Sequence, residues 1–396
     1  MDSDRPPVIL LGRGITALGA LRALSRRRIP TFTACDDPLV PLSRYYRPAV
    51  TRSGRTWKCE LGPVGEQILA DLPFDRAVLI PCADDFTLWA SQLPAQLRSR
   101  FLTSSPDTAA LEVLQDKRLF ADLCVELQVP HPRCYQVASL NDLDRVPFEQ
   151  IERAFFKPSN SIPFLERFNC KGMWVHSRDE ARQLWQMIAD SNLSVLVQEY
   201  VTGGADQHFF IDGFRDRTGT VRARFARQRM RIYPPDFGNS SYCINIPVEQ
   251  IAAAWDSLNR ILQQTRYRGI FSAEFKRDAR TGEYKILEIN TRVWVFVEFA
   301  ARCGVDVCSM AYQDALGLPV ADAVITRPGA RCANVYLDSK TITSLPAADR
   351  PGWPTVLWQW FTSHKSVLVL DDMRPFVAWL SERIQSRLGR LGKGTS

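Results

Sequence analysis

Two short segments constrain this chain more than any others: Phe271-Ser-Ala-Glu-Phe-Lys-Arg-Asp and Tyr284-Lys-Ile-Leu-Glu-Ile-Asn-Thr-Arg. They read as two antiparallel strands, 270–277 and 284–291, joined by a turn that contains Gly282. Strand side chains alternate between faces. Glu274 therefore shares a face with Ser272 and Lys276, and Glu288 shares one with Asn290 and Arg292. Phe271, Ala273 and Phe275 face the other way, as do Leu287, Ile289 and Thr291. With the turn centred on Thr281, Glu274 falls directly across from Glu288. Like charges in that position destabilise a sheet. At about 5 Å and an effective dielectric of about 20, the repulsion is roughly 3 kcal/mol. A compensating cation resolves it, and two carboxylates with an Asn oxygen form a hard-oxygen set suited to Mg²⁺. Arg292, on the same face, is placed to hold an anion beside the metal. The alternative is an exposed hairpin with solvated charges.

Upstream, Val8 to Leu11 is an apolar run that ends in Gly12-Arg13-Gly14, and a helical pattern follows with Ala17, Leu18, Leu21 and Leu24 on one face. Further strands are expected at 31–35 and 77–81, a βαβ pattern with a parallel sheet. The Gly12-x-Gly14-x-x-Ala17 spacing, with Asp36 24 residues after Gly12, also fits a dinucleotide finger. It keeps an NAD-dependent oxidoreductase open as a rival reading. Pro81-Cys-Ala-Asp84-Asp85 ends a strand of this unit, where ligand crevices form, so Asp84 or Asp85 is a candidate substrate contact.

A helix is expected over 107–128, stopped by Val129-Pro130-His131-Pro132. Strands follow near 154–157 and 193–199 with a helix at 179–189 between them, then strands across 206–247 and a helix from 248 to 266. Arg227, Arg229 and Arg231 alternate and are expected on one strand face, suited to a carboxylate or an acyl phosphate. The stripe Phe376, Trp379, Leu380 and Ile384, flanked by Arg383, Arg387 and Arg390, reads as a packed terminal helix, and the last six residues as disordered.

The chain has 396 residues, 45% of them apolar and 23% charged, with a net charge of +7. That is ordinary for a globular protein of two to three domains. The excess charge is compatible with anionic ligands and too weak to argue for nucleic acid. No run is long and apolar enough for a membrane span, and the N-terminus lacks the order of a signal peptide. Ten cysteines without a Cys-x-x-Cys pair point to reduced thiols and a cytoplasmic protein. Four histidines make a zinc centre or a Ser-His-Asp triad a poor expectation.

Taken together, these motifs resemble the ATP-grasp superfamily across about 1–320, in order along the chain. Glu274 … Glu288-x-Asn290-x-Arg292 resembles its magnesium-binding signature. Gln115-Asp116-Lys117-Arg118-Leu119-Phe120 resembles the lysine-bearing helix that opens its nucleotide domain. Phe155-Phe156-Lys157-Pro158 resembles the strand whose lysine meets the phosphates, and Cys170-Lys171-Gly172 the mobile loop that covers them. Gln198-Glu199-Tyr200-Val201 resembles the adenine hinge, with Glu199 for the exocyclic amine and Val201 for a backbone contact. Asp206 follows as a candidate for the ribose, and the stretch from Arg231 to Ser240 resembles a substrate-side loop. The covering loop here, 159–169, has no glycine and includes Pro163. Thr291 follows Asn290 where many relatives carry proline.

The resemblance implies an α/β protein: a Rossmann-like unit at 1–105, a central lid subdomain at 106–200, a C-terminal ATP-grasp subdomain with the metal hairpin at 201–320, and an extension of unreadable role at 321–396. It further implies an ATP-dependent carboxylate–amine ligase of the branch that contains predicted carboligases and D-aspartate ligase, using Mg²⁺, with Mn²⁺ as a substitute. A small carboxylic acid, activated as an acyl phosphate, would be joined to an amine. Glu274, Glu288 and Asn290 would hold the metal and Lys117, Lys157 and Lys171 the phosphates. Arg292, Lys171, Arg229 and Arg231 would serve the reacting groups, with no covalent nucleophile. A homodimer is compatible with the superfamily. An ATP-binding module without catalysis is the remaining alternative.

Overall fold

The structure is a computed structural model that describes residues 5–158, 161–191 and 193–391; for 161–163 and 383–391 only the backbone is described. Three sheets organise it. The first is parallel, with strands β1 (Val8–Leu11), β2 (Thr31–Ala34), β3 (Ala77–Pro81) and β4 (Phe101–Leu102) in the order β2-β1-β3-β4. β1, β3 and β4 are apolar throughout because both faces are covered, and β2 adds the buried Thr31 and Thr33. Val8, Leu10 and Ile80 pack with the helix Gly14–Arg26, and Ile9, Leu11 and Leu79 pack with the helices Gly62–Ala70 and Asp84–Ser91.

The Gly12 finger has a packing explanation here. A Cβ on Gly12 would stand 2.5 Å from Cys82 Cβ, and Gly14 has φ +64°, where glycine is favoured. Asp36, the acidic residue of the finger pattern, faces Arg13 at 3.8 Å.

The second sheet, the lid, is antiparallel: β5 (Cys134–Val137), β6 (Ala154–Pro158), β7 (Met173–Val175) and β8 (Val195–Glu199) in the order β5-β8-β6-β7. Its back face (Val137, Ala154, Phe156, Val175, Val195, Val197) packs with Ala181 and Ile188 of the helix Arg178–Ala189. The register leaves Phe155, Lys157, Trp174, Leu196 and Gln198 on the front.

The third sheet holds β9 (His208–Arg215), β10 (Val221–Tyr233), β11 (Asn239–Ile246), β12 (Gly269–Arg277), β13 (Tyr284–Asn290), β14 (Arg331–Ala333) and β15 (His364–Lys365), ordered β13-β12-β9-β10-β11-β14-β15. All pairs are antiparallel except β14 with β15. One face carries Phe209, Ile211, Ala273, Phe275, Ile286 and Ile289, packed with Leu258 and Ile261 of the helix Ala252–Gln264. Residues beyond 320 are woven into this sheet through β14 and β15. They are also stapled to the first: Arg22, fully buried in the helix Gly14–Arg26, pairs with Asp372 at 2.8 Å and Glu298 at 3.3 Å.

Three expectations need correction. The helix over 107–128 is two helices, Thr108–Gln115 and Lys117–Glu126. They break at Asp116, whose carboxylate caps the second by accepting from the Arg118 and Leu119 amides at 2.9 Å. The glycine-free covering loop is largely a helix, Ser161–Phe168, with Pro163 in its first turn where proline is tolerated. Ser159 and Asn160 lie outside the described residues. Leu287 is not in the buried row with Ile289, because a bulge after the Glu274–Glu288 pair puts Ile286 there instead.

The terminal helix, Arg374–Leu391, sets Trp379 edge-on to Tyr336 at 5.4 Å. The side chains of Arg383, Ile384, Arg387 and Arg390, and residues 392–396, lie outside the described part. All ten cysteines are free. Among the described residues, no helix is long and apolar enough to cross a membrane.

Candidate active site

The polar face of the large sheet is built by register. Glu274 lies directly opposite Glu288 on one side and Phe210 on the other, and Phe210 lies opposite Arg227. One row over, Ser272 is flanked by Asn290 and Asp212; in the other direction, Lys276 lies opposite His208. The two glutamates therefore meet across the hairpin, as the alternation of the sequence requires.

Each buried acid on this face has its own cation. Arg229, buried on β10, approaches Glu274 Oε1 at 3.2 Å, and His208 Nδ1 lies 3.0 Å from the same oxygen. Burial alone would raise the Glu274 carboxyl, but Arg229 and His208 hold it down at about 2. Asp212, wholly buried, accepts from Arg227 Nε at 2.7 Å and Ser272 Oγ at 2.6 Å. Arg227 in turn lies 3.7 Å over the Phe210 ring.

Glu288 is exposed and accepts from Asn290 Nδ2 at 3.3 Å. Arg292 donates from Nη2 to Asn290 Oδ1 at 2.9 Å and from Nε to Asp84 Oδ2 at 3.0 Å, which ties the hairpin to the end of β3. Asp84 is thus brought to the site, through Arg292. Among the described residues no group of three or more His, Cys, Asp or Glu side chains is placed to hold a metal ion. The candidate set remains two carboxylates and one amide oxygen, the chemistry that suits Mg²⁺ with water and phosphate in its other positions. Glu274 Oε2 carries none of the contacts described above, and Glu288 is open to solvent, so the donor set fits.

The lid lysines face this surface. Lys117 donates from Nζ to the Pro158 carbonyl. Burial lowers its ammonium to about 8, with Lys157 adding as a like charge and Glu288 opposing. Lys171 donates to Asn239 Oδ1 at 3.2 Å. Burial lowers it too, while Glu288 and Glu274 pull it back up. Lys157 shares the lid's front with Phe155. The loop between β10 and β11 meets the same front. Phe237 packs on Phe155 at 4.8 Å and Trp174 at 5.1 Å, and Asp236 accepts from Tyr200 Oη at 2.8 Å.

Glu199 ends β8 in line with Val195 and Val197, and its carboxylate reaches the hairpin, pairing at 3.4 Å with Arg280 and with Lys285, which lies opposite Lys276. Its neighbour Gln198, opposite Phe155, occupies the lysine face. Val201 is buried just past the strand. Asp206 is exposed and accepts from Gln207. A bulge after Arg229 separates Arg231 from Arg227 and Arg229. Arg231 grips the buried Asp338 with two hydrogen bonds, of 2.8 and 2.7 Å. Asp338 also accepts from Ser241 Oγ at 2.9 Å and Trp360 Nε1 at 2.7 Å.

His208, Asp212 and Ser272 belong to the polar face and were not singled out as candidates. The period-two pattern of 208–212 was the signal, because it sets His208, Phe210 and Asp212 on one side of β9.

No protein-family model matches the chain. It is 23% identical over 249 residues to a D-aspartate ligase of Enterococcus faecium, covering 60% of this chain and 58% of that one, less than two thirds of the relative's length. Among solved structures, carboxyaminoimidazole ribonucleotide synthase from Aspergillus clavatus, complexed with ATP, is similar with a TM-score of 0.63 and 12% identity. That match covers 86% of this chain and 87% of the other. The biotin carboxylase domain of 2-oxoglutarate carboxylase from Hydrogenobacter thermophilus, with MgADP and bicarbonate, gives 0.59 at 15% identity over 80% and 71%. At these identities the likeness is one of fold. With its parallel sheet, its lid and its large antiparallel sheet facing the lid lysines, the chain has the ATP-grasp fold.

Proposed function

We propose that this protein is an ATP- and Mg²⁺-dependent ligase that activates a carboxylate as an acyl phosphate and joins it to an amine. The observation that carries the reading is the Glu274–Glu288 pair, in register across the hairpin and within electrostatic reach of Lys117 and Lys171 on the lid side. Acids on one surface and amines on the other leave room for one kind of occupant, a polyphosphate that arrives with its own divalent ion.

Lys117, Lys157 and Lys171 neutralise phosphate oxygens, which lowers the barrier to phosphoryl transfer. Bound on Glu274, Glu288 and Asn290, Mg²⁺ would supply further charge neutralisation there. Arg292 orients the acid's carboxylate beside this hairpin. An oxygen of that carboxylate bonds to the γ-phosphorus as the bond to the bridging oxygen breaks, giving an acyl phosphate and ADP. The amine then adds to the acyl carbon, phosphate leaves with the bonding pair, and the amine's proton passes to solvent. Arg229 acts through Glu274, which it holds ionised and in place. Arg231 supports β10 through Asp338. The base rests against the hinge at Val201, with Gln198 and Phe155 on the lid front.

The likeness to a D-aspartate ligase makes D-aspartate the first acid to offer. The test is ADP formation from Mg·ATP with pools of amino acids and amines, with mass spectrometry of the product. Stoichiometric ADP and amide are expected. No nucleotide binding by calorimetry, together with no ADP release from any pool, would sink the reading.

A further inference from the structure

Lys276 stands on the polar face of β12, two residues past Glu274, and is only 3% exposed. Across the hairpin it faces Lys285, a like charge. Lys285 is matched by Glu199 at 3.4 Å and Asp278 at 3.2 Å. Lys276 has no such match. Among the described residues its ammonium meets neither a hydrogen-bond acceptor nor an ion-pair partner. Its contact is the Tyr200 ring, whose centroid lies 4.0 Å from Nζ. Arg153 approaches the same ring at 4.7 Å, so that ring already serves another cation. Asp236 is within electrostatic reach, but its carboxylate accepts from Tyr200 Oη. An ammonium carries three donors, and a ring face answers only its charge. Burying such a group without an acceptor is costly. The arginines of this face are not in that position, since Arg229 is held by Glu274 and Arg227 by Asp212.

We propose that Lys276 recognises the nucleoside of ATP from the large sheet, donating to a neutral oxygen or nitrogen acceptor of the sugar or base rather than to a phosphate. Its place along the strand carries the assignment. Two residues of β12 set it about 7 Å from Glu274, in the direction in which Lys285 of the same hairpin meets Glu199 of the lid. The ring it covers belongs to Tyr200, the residue before Val201. That ring packs edge-on to Trp174 at 4.8 Å and to Phe155 at 6.4 Å on the lid front. A nucleotide with its phosphates at Glu274 and its base against Val201 therefore carries its sugar and ring system past Lys276. Lys117, Lys157 and Lys171 serve the other end of the molecule. The inference rests on the nucleotide site of the ligase reading and adds to it a residue that separates ATP from a bare polyphosphate.

The test is titration calorimetry of the full chain with Mg·ATP and, in parallel, with Mg·tripolyphosphate, which has the phosphates without the nucleoside. Lys276→Met keeps the apolar stem and removes the donors. It is expected to weaken Mg·ATP by about 10-fold or more and to leave Mg·tripolyphosphate unchanged. Lys276→Gln keeps an N–H donor and should recover part of the loss. It also reads the same difference should Lys276→Met fail to fold by near-ultraviolet circular dichroism. Equal weakening of both ligands would make Lys276 a phosphate residue and overturn the inference. Mg·ATP affinity indifferent to both variants would overturn it as well, and either result leaves the ligase reading standing. A wild type that binds neither ligand sinks both.

Discussion

The lid and the large sheet face each other with opposite electrostatic bookkeeping. On the large sheet the buried acids are matched: Glu274 by Arg229 and His208, Asp212 by Arg227. On the lid, Lys157 has no ion-pair partner among the described residues, Lys117 rests on a backbone carbonyl, and Lys171 rests on a neutral amide. The acids of one surface are already matched, whereas Lys157 and Lys171 of the other pair with no carboxylate among the described residues. On the proposed function, the contrast divides residues that would meet a ligand from residues that hold the frame. It also separates Glu288, exposed and held only by an amide, from Glu274, which is locked into the sheet.

Substitutions and a pH titration test that contrast. The largest effect is expected for Glu288→Ala, which should lower turnover by about 10³-fold while leaving stability near wild type. Removing one of two facing carboxylates relieves repulsion, so a protein that loses solubility instead would place Glu288 in the frame. Glu274→Ala should cost both, because Arg229 is left buried without its partner. A stability loss of about 3 kcal/mol is expected by denaturant titration, and a loss below 1 kcal/mol would mean the sheet is not self-neutralised. Gly12→Ala should destabilise by about 2 kcal/mol through the clash with Cys82 yet leave Mg·ATP affinity unchanged. A selective loss of nicotinamide cofactor binding would revive the finger as a ligand site.

Lys157→Ala, with no partner to abandon, should fold normally and bind Mg·ATP about 10-fold more weakly. Unchanged affinity by calorimetry would remove Lys157 from the site. The pH dependence refines the same point. Lys117 sits at about 8 before the nucleotide arrives, so it is charged below pH 8 and neutral above. Affinity should therefore fall as pH rises through 8, and Lys117→Arg should abolish that fall.

What could be read from the residues follows the range of the physics involved. The facing of Glu274 and Glu288 is a local matter of period two and one turn, and it was legible. The bulge at Leu287 was not, because it depends on how Ile286 and Ile289 seat against the helix Ala252–Gln264. Asp116 carried a readable sign of the helix break, a capping side chain before Lys-Arg-Leu. The missing glycines of 159–169 were likewise the mark of a helix. Glu199 comes to the nucleotide by resemblance; strand alternation sets it in line with Val195 and Val197, and its pairing with Lys285 of the hairpin, 86 residues away, is a tertiary contact that alternation does not contain. Arg231 was unreadable in principle: its partner Asp338 is 107 residues away. The role of the stretch beyond 320 was hidden for the same reason, since Asp338 acts on a strand residue 107 positions earlier and Asp372 on a helix residue 350 positions earlier.

Asp338 sets a limit on how far this protein can be shortened. One carboxylate receives a guanidinium from β10, a hydroxyl from β11 and an indole from the helix Trp353–Thr362. Cutting the chain before it would strand a positive charge inside the sheet that carries the site. The stretch from Asp338 to Asp372 is therefore a keystone of the large sheet, and the smallest version that folds must include it.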